Sequence, residues 1–295
     1  MPEPATGQVA DRGTGPAAIP GQVVELLPGV LRLTAPNPSM MTGPGTNTYL
    51  VGDRELAVID PGPELPAHRA ALVEAIAGRP VLAVAVTHTH PDHAPGAAAL
   101  ARVLDAPTAG FADAGGFVAD VRLVDGDLLG VGDLTLEVVH TPGHASDHCC
   151  FVLDARALCF TGDHVMGGST VVIRPPDGSM SAYLWSLERL RDRSPALELL
   201  APGHGRLLAD APAAIGDVIE HRLAREALVA GLLDARPSAT AAELVDDAYP
   251  GIEDQRRDVA TATLLAHLEH LVELGRALAV ERPAEAEERF TTTSI

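Results

Sequence analysis

The run Thr87-His88-Thr89-His90-Pro91-Asp92-His93 holds four side chains able to bind a metal ion. On extended backbone, residues two apart point the same way, so His88 and His90 can serve one ion. Pro91 suits a turn, which would carry Asp92 and His93 toward a second ion. Imidazole and carboxylate together suit zinc, and iron or manganese less selectively. Three further ligand types follow short apolar runs: His144 in Thr141-Pro142-Gly143-His144, Asp163 in Thr161-Gly162-Asp163, and His204 in Pro202-Gly203-His204-Gly205. Glycine supplies the close turn in each. A carboxylate such as Asp163 can bridge two cations, which imidazole cannot do. A lone His-x-His pair would say little, whereas this spaced set points to a two-metal centre. Two cations roughly 3.5–4 Å apart would hold a shared water as hydroxide at neutral pH, ready to attack a carbonyl carbon or a phosphorus. The metals would stabilise the negative oxygen that develops. Such chemistry needs no Ser-His-Asp or Cys-His nucleophile.

The elements that must position these residues alternate short apolar runs with turn signals. Residues 23–33, 48–51 and 55–59 read as strands, the last ending at Asp60-Pro61-Gly62. Residues 66–77 have helical spacing and stop at Gly78. Residues 81–86 form a continuous apolar run, as in a strand buried on both faces. A helix at 97–104, strands at 107–111, 133–139, 149–153 and 157–161, a helix at 183–192 and a strand at 198–201 follow. This order predicts a layered α/β body with sheets covered by helices and with the chemistry at the strand exits. Beyond Pro212 the pattern changes to helices at 213–233, 240–248 and 258–274. Residues 277–281 and 289–293 can then pair as a hairpin around Pro283, which is the outline of a winged helix. The acidic stretch 285–288 reads as a solvated turn. Residues 1–20 read as a disordered tail without the basic start and apolar core of a signal peptide.

Composition narrows the function classes. The 295 residues carry a formal charge of -19, and all 21 cations are arginine. Without lysine there is no Walker-type phosphate lysine, Schiff base or lysine general base, which excludes P-loop NTPases, kinases and pyridoxal enzymes. Cys149, Cys150 and Cys159 are too few for a disulfide framework, and their apolar neighbours suggest buried, reduced thiols and a cytoplasmic home. No apolar run approaches the ~18 residues of a membrane span. From residue 237 onward there are 12 Asp and Glu against 5 Arg, which argues against DNA binding by the winged-helix region. A wall beside the active site or a homodimer contact is the expected role of that region.

These motifs resemble the metallo-β-lactamase superfamily over about residues 21–208. Its five metal motifs occur in order at Asp60, at His88/His90/Asp92/His93, at His144, at Asp163 and at His204. The resemblance implies a four-layer αβ/βα sandwich over residues 21–212 with a binuclear site at its edge, followed over 213–295 by a linker helix and a small winged-helix domain. It implies that His88, His90 and His144 hold one metal, that Asp92, His93 and His204 hold the other, and that Asp163 bridges them. Asp60 would orient the site without binding metal, by fixing an imidazole tautomer. The expected catalytic residues are Asp92, Asp163 and His164, the last placed to contact substrate or to protonate a leaving group. The family's common β-lactamases carry cysteine where Asp163 stands, which argues against antibiotic hydrolysis.

The segments 45–52, 162–168 and 221–226 further resemble the branch with a C-terminal winged-helix domain, which includes single-strand endoribonucleases and thioesterases acting on acyl-carrier or coenzyme A substrates. Thioester or ester hydrolysis is the first expectation. Cleavage of single-stranded RNA is the second, disfavoured by the acidic surface and by only nine aromatic side chains. Glutathione thioester hydrolysis is a third, although that branch has a different C-terminal helical domain. A metal-free binding scaffold would not need every ligand position filled. Arg174, Arg206, Arg222 and Arg225 lie near the motifs and could grip a phosphate, including those of coenzyme A.

Overall fold

The computed structural model describes residues 9–280 and 287–293. The first half runs β1 (Gly13–Thr14), β2 (Val23–Leu27), β3 (Val30–Thr34), β4 (Asn47–Val51), β5 (Leu56–Ile59), α1 (Pro66–Ile76), β6 (Val81–Ala85), α2 (Ala97–Leu104), β7 (Thr108–Gly110) and β8 (Val121–Arg122). Then come β9 (Leu128–Val131), β10 (Leu134–His140), β11 (Cys149–Leu153), β12 (Leu158–Gly162), α3 (Met180–Arg191), β13 (Leu199–Pro202) and β14 (Leu207–Ala209). The C-terminal part holds α4 (Ala211–Asp234), β15 (Ala239–Thr240), α5 (Ala241–Ala248), α6 (Asp254–Glu273), β16 (Ala277–Val280) and β17 (Arg289–Thr292).

Two seven-stranded sheets stack face to face, ordered β2-β3-β4-β5-β6-β7-β8 and β1-β14-β13-β12-β11-β10-β9. The period-two alternation of strand side chains decides the layers. Tyr49, Val51, Ala57, Ile59 and Ala85 point inward, where they meet Leu136, Val138, Phe151 and Phe160 of the other sheet. Their neighbours Leu50, Val58 and Val84 point outward, onto Leu72 and Ile76 of α1 and Leu100 of α2. On the opposite outer face Cys150, Val152 and Cys159 pack against Leu187 of α3 and Ile215 and Val218 of α4. The result is the metallo-β-lactamase αβ/βα sandwich. All three thiols are free and buried within it.

A smaller core follows, in which Val229 and Leu233 of α4, Leu244 of α5, Leu264, Leu268 and Leu271 of α6 and Phe290 of β17 pack together. Helix α5 opens with a capping box, Thr240 accepting from the Glu243 N–H while Glu243 accepts from Thr240 N–H. β15, β17 and β16 form the three-stranded wing. Between α4 and α6, Glu226 accepts from Nδ1 of His270 and, at 3.4 Å, from Nη1 of Arg276, with Nδ1 of His267 4.0 Å away. No helix among the described residues is long and apolar enough to cross a membrane.

Four expectations need correction. Residues 9–20 are not a disordered tail: Gly13–Thr14 pairs antiparallel with Leu207 and Leu208 of β14. The carbonyls of Pro16 and Ala17 accept from Nη2 of the buried Arg32, whose Nη1 donates to Gly205 O at 3.4 Å. Residues 1–8 lie outside the described residues, as do Pro283 and the start of the acidic stretch at 285–288. The run 23–33 is a hairpin and not one strand, turned at Gly29 with φ +77°. β8, β9, β14 and β15 are strands of two to four residues, too short for a period to show in the sequence. Leu274, which by its spacing with Leu264, Leu265, Leu268, Leu271 and Val272 reads as core, is exposed.

Candidate metal centre

Every ligand type sits where a strand of one sheet or the other runs out. His88, His90, Asp92 and His93 follow β6, while His144 follows β10, Asp163 follows β12 and His204 follows β13. Asp60, just beyond β5, ties these exits together. Its backbone is left-handed, φ +52°, a conformation uncommon outside glycine and tolerated where the surroundings enforce it. Its N–H donates to Ala85 O at 2.9 Å. Its carboxylate accepts from Thr87 N at 2.7 Å, Thr87 Oγ1 at 2.8 Å and Nδ1 of His93 at 2.9 Å.

The same economy of protons recurs at the other imidazoles. Nδ1 of His88 lies 3.0 Å from Thr87 Oγ1, Nδ1 of His144 lies 2.8 Å from Val172 O, and Nδ1 of His204 lies 3.2 Å from Gly45 O. A ring that donates from Nδ1 leaves a lone pair on Nε2, and in all four cases Nε2 faces inward. Asn47 and Tyr49 hold the His204 loop in place. The Asn47 N–H donates to Gly203 O at 2.7 Å and the Tyr49 hydroxyl donates to Pro202 O at 2.6 Å. Gly203 has no room for a side chain, because a Cβ would stand 2.7 Å from His93 Cε1 and 2.8 Å from Asp163 Oδ1.

Two groups of ligand atoms result, each within 4.8 Å: His88, His90 and His144; and Asp92, His93, Asp163 and His204. In the first, Nδ1 of His90 lies 2.9 Å from Nε2 of both His88 and His144. In the second, Asp163 Oδ1 lies 3.4 Å from Nε2 of His93 and 3.3 Å from Nε2 of His204, while Asp92 Oδ2 lies 3.6 and 3.2 Å from the same atoms. The other oxygen of Asp163 lies 3.6 Å from Nε2 of His144, so one carboxylate faces both groups.

The donors fit divalent cations. His93 Nε2 and Asp163 Oδ1 are buried without a hydrogen-bond partner, a costly arrangement unless a cation meets them. The electrostatics agree. Burial would lower the pKa of His93, but Asp60 and Asp163 outweigh it and hold the ring well above its ordinary value. Burial is likewise outweighed at His204, which Asp163 pushes up to about 9. At Asp163 burial opposes ionisation, yet His204 and His93 keep the carboxyl well below its usual range. At His88 burial, reinforced by His93 and His148, drives the pKa well down. The carboxylates thus draw positive charge to the imidazoles of this group, and a cation would compete with protons for the same ring lone pairs.

His164 departs from expectation. Its ring is fully buried, packed edge-on against Tyr183 at 5.0 Å and tilted against His148 at 5.8 Å. Burial, and then His144, lower it to about 3, and it does not line the cleft above the ligands. It packs as a buried ring beneath the site, away from the side chains that line that cleft. Two further residues, to which the sequence assigned no role, support the ligands. His148 accepts from the Asp163 N–H at 3.2 Å and is itself held at 2.8 Å by Thr141 Oγ1, and Asp147 accepts from the Thr89 N–H at 3.1 Å. These contacts join segments far apart in the chain, so no local pattern announces them.

A cleft of about 760 Å³ opens over His90, Asp92, His144 and Asp163. Met40, Met41, Met166, Val171 and Val172 give it an apolar wall, and α6 adds Val259 and Arg256.

Comparisons with known proteins agree with this architecture. Residues 41–204 match the family model described as the metallo-beta-lactamase superfamily, and residues 240–284 match the beta-lactamase associated winged helix domain. The chain is similar to an atrochrysone carboxyl ACP thioesterase of Aspergillus chevalieri, 34% identical over 72% of this chain and 68% of the relative. It is also similar to the lactamase-like protein adaB of Aspergillus niger, 31% identical over 85% of this chain and 83% of the relative. Among solved structures, a beta-lactamase domain protein from Burkholderia ambifaria superposes with TM-score 0.79 at 25% identity, covering 95% of each chain. A metallo-beta-lactamase family protein from Thermus thermophilus superposes with TM-score 0.75, also at 25% identity, covering 91% of this chain and all of that one. The chain belongs to the metallo-beta-lactamase superfamily of hydrolases, with the associated winged-helix domain behind its catalytic fold.

Proposed function

We propose that this enzyme is a two-metal hydrolase of thioesters, with an acyl-carrier or coenzyme-bound acyl group as substrate. The observation that carries the reading is Asp163, whose two oxygens face the two ligand groups at 3.3–3.6 Å. In this reading His88, His90 and His144 would hold one ion, Asp92, His93 and His204 would hold the other, and Asp163 would serve both. When bound, the ions supply Lewis acidity and a nucleophilic water at neutral pH. The chain's own residues set the geometry. Asp60 and Thr87 fix the tautomers of His93 and His88, the Val172 and Gly45 carbonyls fix those of His144 and His204, and His148 anchors the main chain of Asp163. The nitrogen-rich donor set favours zinc, with iron or manganese as substitutes. A reducing, cytoplasmic compartment suits the three free thiols.

The apolar wall of the cleft supports an acyl group over a nucleotide. No Phe, Tyr or Trp among the described residues lines it, so it offers no platform for stacking bases. The acyl-carrier thioesterase name carried by several relatives points the same way. The test is a panel assay of the metal-loaded protein on acyl-coenzyme A, acyl-carrier thioesters, S-lactoylglutathione, simple esters and single-stranded RNA, with Asp163→Ala as control. Hydrolysis of the carrier or coenzyme thioesters, abolished in the control, is expected. RNA cleavage lost in the control, without thioester turnover, would assign the site to phosphodiesters.

A further inference from the structure

A second cleft, about 620 Å³, shares Ser169, Thr170, Val171, Val172, Arg256 and Val259 with the cleft over the ligands and continues it between α4, α6 and the turn that joins α5 to α6. Arg222 and Arg225 line it, three residues apart and so neighbours on one face of α4. They are 2% and 7% exposed. Each guanidinium makes one hydrogen bond among the described residues, Arg222 Nη2 to Val171 O and Arg225 Nη1 to Ala248 O. Neither meets a carboxylate among the described residues, and Nε of both is buried without a partner.

A guanidinium carries five N–H donors, and burying a cation without a counter-charge is strongly unfavourable. The rings of Tyr183 and Tyr249, 5.4 and 4.2 Å from the respective Cζ atoms, hold the two planes in place but do not neutralise them. Beside them His221 is pushed down to about 4, by burial first and then by the two arginines, so it adds no charge of its own. Arg256 stands at the junction of the two clefts, paired at 3.5 Å with Glu253. In a chain of net charge -19 this is a local concentration of cations, connected to the place where chemistry would occur. Arg206, also a candidate phosphate ligand by sequence, instead donates to Gly15 O, and the exposed Arg174 pairs with Asp258 at 2.7 Å.

We propose that Arg222 and Arg225 form an anion subsite that takes the phosphoryl group at the far end of a substrate's pantetheine arm. The naming of the arm rests on the thioesterase reading above, while the anion subsite does not. The test is calorimetric titration of the full-length, metal-loaded protein with 4′-phosphopantetheine, pantetheine and coenzyme A. Phosphopantetheine is expected to bind at least about tenfold more tightly than pantetheine, as a charge-assisted pair requires. Arg225→Gln should erase that margin and Arg225→Lys should keep part of it. Coenzyme A binding more tightly than phosphopantetheine would make the free coenzyme the source of the phosphate, and equal affinities would make it the carrier's prosthetic group. Should Arg225→Gln not fold, the Nε–H resonances of Arg222 and Arg225 in the wild type serve instead, and they should shift with phosphopantetheine but not with pantetheine. Equal binding of phosphopantetheine and pantetheine overturns the proposal. So does a margin that survives Arg225→Gln, as ligation of the phosphate by the metals would. If thioesters are not hydrolysed but the arginine-dependent margin remains, the thioesterase reading fails and the anion subsite stands.

Discussion

Two buried clusters in this molecule combine histidines with carboxylates, and they solve opposite problems. Around Asp163 the ligand atoms aim at one another: three ring nitrogens of the first group stand 2.9 Å apart along two edges, and Asp163 Oδ1, which makes no hydrogen bond, lies 3.3–3.4 Å from Nε2 of His204 and His93. Around Glu226 a single carboxylate receives His270 and Arg276, and the charge is settled inside the protein. Both clusters would look alike in a count of titratable residues. What separates them is whether several ligand atoms face one another or one carboxylate is met by side-chain donors, and the first arrangement is the one that suits a metal ion.

Substitutions can break that contrast. Asp163→Ala should cut kcat/KM on the order of 10³-fold or more and reduce bound metal below two ions per chain, as read by elemental analysis. A variant that kept both ions would remove the bridge from the argument. Asp60→Asn keeps the shape but loses the charge that orients His93, and should cost about 10–100-fold in activity or metal affinity. Glu226→Gln should do the reverse, leaving metal content alone while lowering unfolding free energy by ~1–3 kcal/mol in denaturant titrations. Its pH dependence follows from the carboxyl's pKa. Burial would raise it, but His267 and His270 outweigh burial and lower it to about 2. A depressed carboxyl stabilises the fold above its unfolded value of about 4.5, so the wild-type advantage should fade as pH falls from there toward 2. The finest test concerns protons. His204, raised to about 9, is mostly charged at pH 7 without metal, so metal binding should release on the order of one or two protons per chain, seen by titration calorimetry in buffers of different ionisation enthalpy.

Much of the site was legible because its ligands are punctuated locally. The His88–His93 run follows a buried strand directly, and each remaining ligand adjoins a glycine at a strand exit. The helix at 97–104 and the strand at 149–153 match their expected limits for the same reason, since apolar periodicity ends where the element ends. Roles that depend on meetings across the chain were hidden. His164 looked reactive because it follows Asp163, but a residue's depth is set by packing against Tyr183, which sequence proximity does not report. The arginine pair on α4 is legible as a candidate phosphate ligand, but its burial shows only where the 169–172 segment and the turn after α5 close over it. Short strands such as β1 and β14 were missed because their partners, not their own composition, make them strands.

That N-terminal strand has a practical consequence. β1 is only two residues long, so the margin of its sheet ends in a ribbon too brief to recruit another molecule, while it covers the main chain of Leu207 and Leu208. A shortened protein beginning after residue 20 would bare those amides and carbonyls and strip Arg32 of two acceptors. Its first symptom would be clumping on concentration, well before any failure of catalysis.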